Sequence, residues 1–220
     1  MRWQSGGVLV DHWPLIGLRL TTRRVELRLP TDDELAALAD VAAAGVHQPG
    51  EQPYLTPWTD VSPEQRARHV LQQHWSRRGE WSVDAWALEL AVFHHRQPVG
   101  MVALKARTFS VLREVRTESW LGLDHHRRGL GTHARTAVLA LAFDGLQALS
   151  ALSEAFQDNA GSQGVSRKLG YHHDGISRDV LHEHVVVSDR LRLDRSDWQR
   201  TPHETVTVSG LTPCLPDFGC

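Results

Sequence analysis

Cysteine is nearly absent from the chain: only Cys214 and Cys220 occur, both close to the C-terminal end. With none upstream, no disulfide can staple the main fold, and a reducing, cytoplasmic setting is the expectation. Long apolar runs are missing too. The longest, 136–143, falls far short of the about 20 residues that a membrane-spanning helix needs. The N-terminal stretch has no apolar run with a small-residue cleavage site, so no membrane partner is expected. Neither charge sign dominates: Lys plus Arg is 24, Asp plus Glu is 26, and the net charge is −2. A general nucleic-acid binder usually carries a basic excess, so no nucleic-acid partner is expected either. There is no Gly-Lys-Ser/Thr and hence no P-loop. Internal repeats and low-complexity segments are lacking as well.

What is present suits a packed core. Of 220 residues, 41% are hydrophobic and 23% charged, which is ordinary globular usage. The length fits one large domain, or one domain with extended termini. We divide it into an N-terminal arm at 1–17, with Trp3 and Trp13, a domain at 18–193 and a C-terminal extension at 194–220. The 14 histidines invite a metal reading. However, His94-His95, His125-His126 and His172-His173 are adjacent pairs, whose side chains diverge on a strand. His182 and His184 could share a face, but no cysteine or well-spaced carboxylate completes a zinc motif. No metal is expected.

The order of elements reads β-α-α-β-β-β-α-β-α-β-β. Residues 18–29 alternate imperfectly and stop at Pro30, as one strand would. Thr31 with Glu34 forms a capping box for a helix that Gly45 ends. Residues 46–61 are a turn-rich loop holding Tyr54 and Trp58. Ser62, Pro63 and Gln65 open a second helix reaching about Arg78. Strands are expected at 86–94, 99–107 and 114–123, with a turn at Gln97-Pro98. A helix at 132–143, a strand at 148–156, a short helix at 162–169 and one long strand at 180–193 complete the set. Residues 203–209 alternate again and suggest an extra strand. The fold class is therefore α/β (α+β): a mixed sheet with helices on both faces.

The strand ending Trp120-Leu121-Gly122-Leu123 runs into Asp124-His125-His126-Arg127-Arg128-Gly129-Leu130-Gly131-Thr132, and a helix follows. Glycines at a helix start let backbone N–H groups approach an anion, and the helix dipole favours negative charge there. Arg127 and Arg128 add positive charge. Pyrophosphate is the natural guest. A plain strand-to-helix turn is the other reading of Gly-x-Gly, which recurs by chance.

This loop resembles the acyl-CoA signature of GNAT enzymes, Gln/Arg-x-x-Gly-x-Gly/Ala, with His126 standing at its first position. A second run, Asn159-Ala160-Gly161-Ser162-Gln163-Gly164-Val165-Ser166-Arg167-Lys168-Leu169-Gly170-Tyr171, resembles the Asn-x-x-Ser-x-x-Val-x-x-Lys-Leu-Gly-Phe run of the ribosomal-protein N-terminal acetyltransferase (RimJ/RimL-like) branch. The two lie in order, about 30 residues apart, as a βαβ crossover requires. Further landmarks are similar to an actinobacterial group in that branch: His12-Trp13-Pro14-Leu15, Leu20-Thr21-Thr22-Arg23-Arg24, Pro57-Trp58-Thr59, Asp197-Trp198-Gln199-Arg200 and the tail Gly210-Leu211 … Cys214 … Phe218-Gly219.

The resemblance implies a mostly antiparallel GNAT sheet with one splayed strand pair, acetyl-CoA or succinyl-CoA as donor, and a primary amine as acceptor. It implies that Trp120, Leu121 and Leu123 offer backbone groups to the pantetheine and thioester. Arg127, Arg128, Gly129, Leu130, Gly131 and Thr132 would hold the phosphates, with Asn159, Ser162 and Ser166 along the pantetheine. Amide formation needs a neutral amine, a polarised carbonyl and a proton for the leaving thiolate. Glu118 is the candidate base, and an ordinary surface carboxylate is the alternative. Ser166 stands where many members carry a tyrosine proton donor. This leaves Ser162 as the candidate donor, unless it only caps its helix. Tyr54 and Trp58 are expected to border the acceptor. The C-terminal arm has to cover a sheet edge or reach a second subunit, and a homodimer is expected. The rival expectation is a GNAT-fold acyl-CoA sensor or an assembly protein without turnover.

Overall fold

The computed structural model describes residues 8–220; Trp3 lies outside them. Nine strands form one sheet: β1 (Arg19–Thr21), β2 (Glu26–Arg28), β3 (Ala85–His94), β4 (Gln97–Arg107), β5 (Glu114–Leu121), β6 (Ser150–Phe156), β7 (His172–Leu181), β8 (His184–Asp194) and β9 (Thr207–Ser209). Their order is β7-β8-β6-β5-β4-β3-β2-β1-β9. Every neighbouring pair is antiparallel except β5 with β6. The helices are α1 (Leu9–His12), α2 (Asp32–Ala44), α3 (Pro63–Gly79), α4 (Phe109–Leu112), α5 (Leu130–Ala140), α6 (Ala160–Lys168) and α7 (Arg195–Arg200). None is long and apolar enough to cross a membrane, among the described residues.

The two expected capping boxes form. Thr31 accepts from the Glu34 amide and Glu34 returns the bond, which starts α2; Ser62 and Gln65 do the same for α3. Leu35, Leu38, Ala39 and Ala42 are the buried residues of α2, and Leu35, Leu38 and Ala42, with Val70 of α3, cover Ala91, Phe93 and Met101 of the sheet. The other sheet face carries the larger core. There Leu130, Ala134, Ala137 and Val138 of α5 meet Leu88, Leu90, Val102 and Leu104.

Three expected strand boundaries are corrected. The strand read at 18–29 is broken into β1 and β2, because the Thr22 hydroxyl accepts from the amides of Arg24 and Val25 and turns the chain. The turn read at Gln97-Pro98 falls instead at His95-Arg96, with φ of 50° and 66°. The strand read at 180–193 is a hairpin whose turn, His182-Glu183, has φ of 47° and 64°. Both are two-residue turns in left-handed conformation, the type I′ geometry that matches strand twist. Neither has the Asn or Gly that announces it.

The arm at 203–209 does form a strand. β9 pairs with β1, Arg19 opposite Ser209 and Thr21 opposite Thr207. The arm thus covers an edge of its own sheet.

Candidate active site

β5 and β6 are bonded at only three registers, from Glu114 opposite Ser150 to Arg116 opposite Leu152. β5 then runs on to Leu121 and β6 to Phe156, so the two strands diverge and leave a fork. β5 is held straight on its other side by β4, from Lys105 to Gly100. Gly100 is needed for that approach: a Cβ there would lie 2.3 Å from the Trp120 carbonyl oxygen. After β5 the chain is pinned, with the Gly122 amide donating to Val99 and the Leu123 amide to Gly45. His126 Nε2 lies 3.0 Å from the Leu121 carbonyl oxygen, which gives this departure from the signature a local use.

The start of α5 faces this loop, and it is left open. Gly129 precedes it in left-handed conformation, φ 78°, with no side-chain cap. No acid stands in its first turn. The amides of Leu130, Gly131 and Thr132 precede any possible intrahelical acceptor and find none elsewhere among the described residues. Arg127, also left-handed at φ 55°, and Arg128 are exposed beside them. Gly131 has room for a side chain, since a Cβ would meet nothing closer than Leu121 Cδ1 at 3.7 Å. The fold therefore does not demand glycine at 131. Arg24, which the sequence did not single out for the site, reaches the loop from β1–β2 and donates to the Arg128 carbonyl at 2.7 Å.

Across the fork, α6 is capped by Asn159, whose Oδ1 accepts from the Ser162 amide at 3.0 Å. This corrects two expectations. The helix begins at Ala160 rather than Ser162, and Ser162 is not its cap. Ser162 is half-buried, while Ser166, one turn on, is fully buried with a hydroxyl that has no partner.

On the α2–α3 face, register sets Glu89, Ala103 and Glu118 in one row and Ala91, Met101 and Trp120 in the next. Tyr54, Trp58 and Trp120 come together: Trp58 lies 5.4 Å from Tyr54 and 5.9 Å from Trp120, ring centre to ring centre. Burial pushes the Tyr54 phenol up. His69 of α3 stacks on Trp58 at 5.1 Å, and its Nε2 is buried without a partner. Burial holds the His69 pKa below the ordinary histidine value, so the ring is neutral at pH 7. Glu118 is paired with Lys105 and accepts from Arg77 at 2.8 Å. Burial would raise its pKa, but the two cations outweigh burial and lower it. A carboxylate held in this way is a weaker base than a free one.

His172, Asp194 and Asp197 form the one group of three potential metal ligands among the described residues. Asp197 is already engaged by Arg200 and lies 3.7 Å from His172.

A strand fork beside an uncapped, cationic helix start can seat a phosphorylated molecule whose extended arm enters between the strands. The acetyltransferase (GNAT) domain family matches residues 24–172, more than half of the chain, and the chain belongs to that family. Solved structures share the fold. RimJ from Mycobacterium smegmatis, determined with a coenzyme A disulfide, is 16% identical, with 86% of this chain and 88% of that chain covered at a TM-score of 0.64. RimL, an alpha-N-protein acetyltransferase of a ribosomal protein determined with coenzyme A, is 15% identical, with 79% and 95% covered at 0.62. A ribosomal-protein-alanine acetyltransferase from Vibrio fischeri is 14% identical, with 82% and 98% covered at 0.58. The protein is thus an N-acetyltransferase enzyme whose acyl group comes from coenzyme A. Its residues fit that carrier, since free amides, two arginines and no acid meet at the start of α5.

Proposed function

We propose that the protein moves an acetyl or succinyl group from coenzyme A directly to a primary amine of a small molecule, a peptide N-terminus or a lysine, within a ternary complex. The observation that carries this reading is the open start of α5 beside the β5–β6 fork. Arg127, Arg128 and the amides of Gly129 to Thr132 hold the pyrophosphate. Backbone groups of Trp120 and Leu121 at the end of β5, and of Leu123 just beyond it, line the pantetheine, with Asn159, Ser162 and Ser166 opposite. Tyr54 and Trp58 border the acceptor. Ser162, freed from capping, donates to the departing thiolate. Glu118 acts on the amine as its counter-ion and, through water, as base; the neutral His69 beside Trp58 is the second acceptor for that proton. We retain a homodimer as the expected assembly, through the outer edge of β7, where Ile176 and Val180 are exposed. The covered β1 edge gives no such opening.

The clamped Glu118 and the serine at position 166 favour a second reading, an acyl-CoA sensor without turnover. Thiol release from acetyl-CoA and succinyl-CoA, measured against a panel of amines, separates the two. Donor binding with no amine-dependent release would leave the sensor. If release occurs with Glu118 as base, Glu118→Gln lowers the rate at neutral pH and the deficit narrows at high pH, where more amine is already neutral. A deficit independent of pH would assign Glu118 to scaffolding.

A further inference from the structure

Arg135 is out of place by its surroundings. It lies on α5, six residues past Gly129, in a run of buried positions from His133 to Phe143. Its own exposure is 5%. Arginine at such depth is normally paired with a carboxylate, because an uncompensated buried charge is costly. No carboxylate comes within 4.0 Å of Arg135 among the described residues, as no ion pair includes it. Among the described residues its well-formed hydrogen bonds go to two neutral hydroxyls, and they belong to the two strands that diverge. Nη1 donates to Ser153 of β6 at 3.1 Å and Nη2 to Ser119 of β5 at 3.4 Å.

Both serines lie beyond the last bonded register of that pair, Arg116 with Leu152. The guanidinium therefore bridges the mouth of the fork. Its Nε is buried and without an acceptor. The Tyr171 hydroxyl is buried beside Arg135 and Thr117, within reach of both, and no contact of full hydrogen-bond geometry satisfies it. Donors thus outnumber acceptors at a buried cation, and no anion balances them. A carboxylate, planar and able to take two parallel N–H bonds, is the group this arrangement matches best.

We propose that Arg135, with Ser119, Ser153 and Tyr171, forms an anion subsite in the fork that recognises the terminal carboxylate of a dicarboxylic acyl donor such as succinyl-CoA. This rests on the acyltransferase reading above and deepens it by assigning a residue to donor choice. The thiolate of departing coenzyme A is the other anion that could enter the fork, and the two make different forecasts. A carboxylate subsite acts only on donors with an anionic tail, whereas a thiolate subsite acts on every donor.

The test is titration of acetyl-CoA and succinyl-CoA into the intact protein and its Arg135→Met and Arg135→Lys variants by calorimetry, with melting temperature measured alongside. Removing a buried cation that has no carboxylate partner strands no opposite charge, so Arg135→Met should fold with an unchanged or higher melting temperature. Affinity for succinyl-CoA should fall by at least about tenfold and affinity for acetyl-CoA should change by less than about twofold. Arg135→Lys keeps the charge but loses the fork, and should fall between wild type and Arg135→Met for succinyl-CoA alone. Equal losses for both donors would overturn the proposal in favour of a thiolate site. Unchanged binding of both, or a lower melting temperature in both variants without a change of donor preference, would reduce Arg135 to scaffold. If neither donor binds the wild-type protein, the acyltransferase reading itself fails, and the subsite with it.

Discussion

The starts of α2 and α5 lie on opposite faces of the same sheet and are built in opposite ways. At α2, Thr31 and Glu34 exchange side-chain-to-backbone bonds, and Arg28 grips the Glu34 carboxylate with both terminal nitrogens. Asp32, Asp33 and Glu34 set three acids against the positive end of the helix dipole. At α5 there is no cap and no acid, and arginines crowd an end that is already positive. The first end is completed by its own chain. The second is completed only by something negative from outside, and the chain gives up stability there to remain receptive.

The largest effect on stability expected from breaking this contrast is at the closed end. The Arg28 hydrogen bonds lower the Glu34 pKa from 4.5 to about 2, with the Thr31 bonds adding to them. A carboxylate depressed on folding contributes stability that is present above its unfolded pKa and is lost as pH falls through the folded one. Glu34 lies near the surface, where solvent screens the pair, so Glu34→Gln should cost about 1–2 kcal/mol at pH 7, and the deficit should fade between about pH 4.5 and pH 2. Chemical denaturation across that range measures it. Coenzyme A affinity should not change; a loss of affinity would mean that the two ends are coupled.

At the open end the signs reverse. Gly131→Val should raise the coenzyme A dissociation constant at least about tenfold, or about 1.4 kcal/mol, because a branched side chain meets the pyrophosphate rather than the protein. Gly131→Ala should stabilise the unliganded protein by about 0.5–1 kcal/mol, since glycine inside a helix is the worse residue. Full affinity in Gly131→Val, with the fold intact, would remove α5 as the phosphate site.

How far the sequence revealed this depended on distance along the chain. The capping boxes, the glycine loop and the order from β3 to α6 are local patterns, and the fold keeps them. The turns at His95-Arg96 and His182-Glu183 were not legible, because left-handed backbone there is imposed by strand pairing on residues with no special preference for it. Arg24, His69 and Arg135 were missed for a different reason. Each meets its site through tertiary contacts, to the Arg128 carbonyl, the Trp58 ring and the Ser119 and Ser153 hydroxyls respectively. Only Arg135 carried a signal, as a lone charge within the Ala- and Leu-rich stretch 134–143.

A third helix start tests whether closed and open ends are true alternatives. α6 is capped like α2, yet it borders the fork like α5. Asn159 accepts the Ser162 amide, so the cap is one residue and the nearby free hydroxyl another. Asn159→Ala should cost about 1 kcal/mol of stability, as loss of a cap does. Ser162→Ala removes no cap, so its unfolding free energy should stay within about 0.5 kcal/mol of wild type. If its hydroxyl helps the thiolate leave, turnover should fall about fivefold, near 1 kcal/mol, with donor affinity unchanged, because the bond strengthens only in the transition state. Stability measured beside steady-state rates divides the two roles. A Ser162→Ala protein with full turnover would leave transfer to proximity and backbone polarisation alone, and α6 would then rank with α2 as an end serving the fold rather than the reaction.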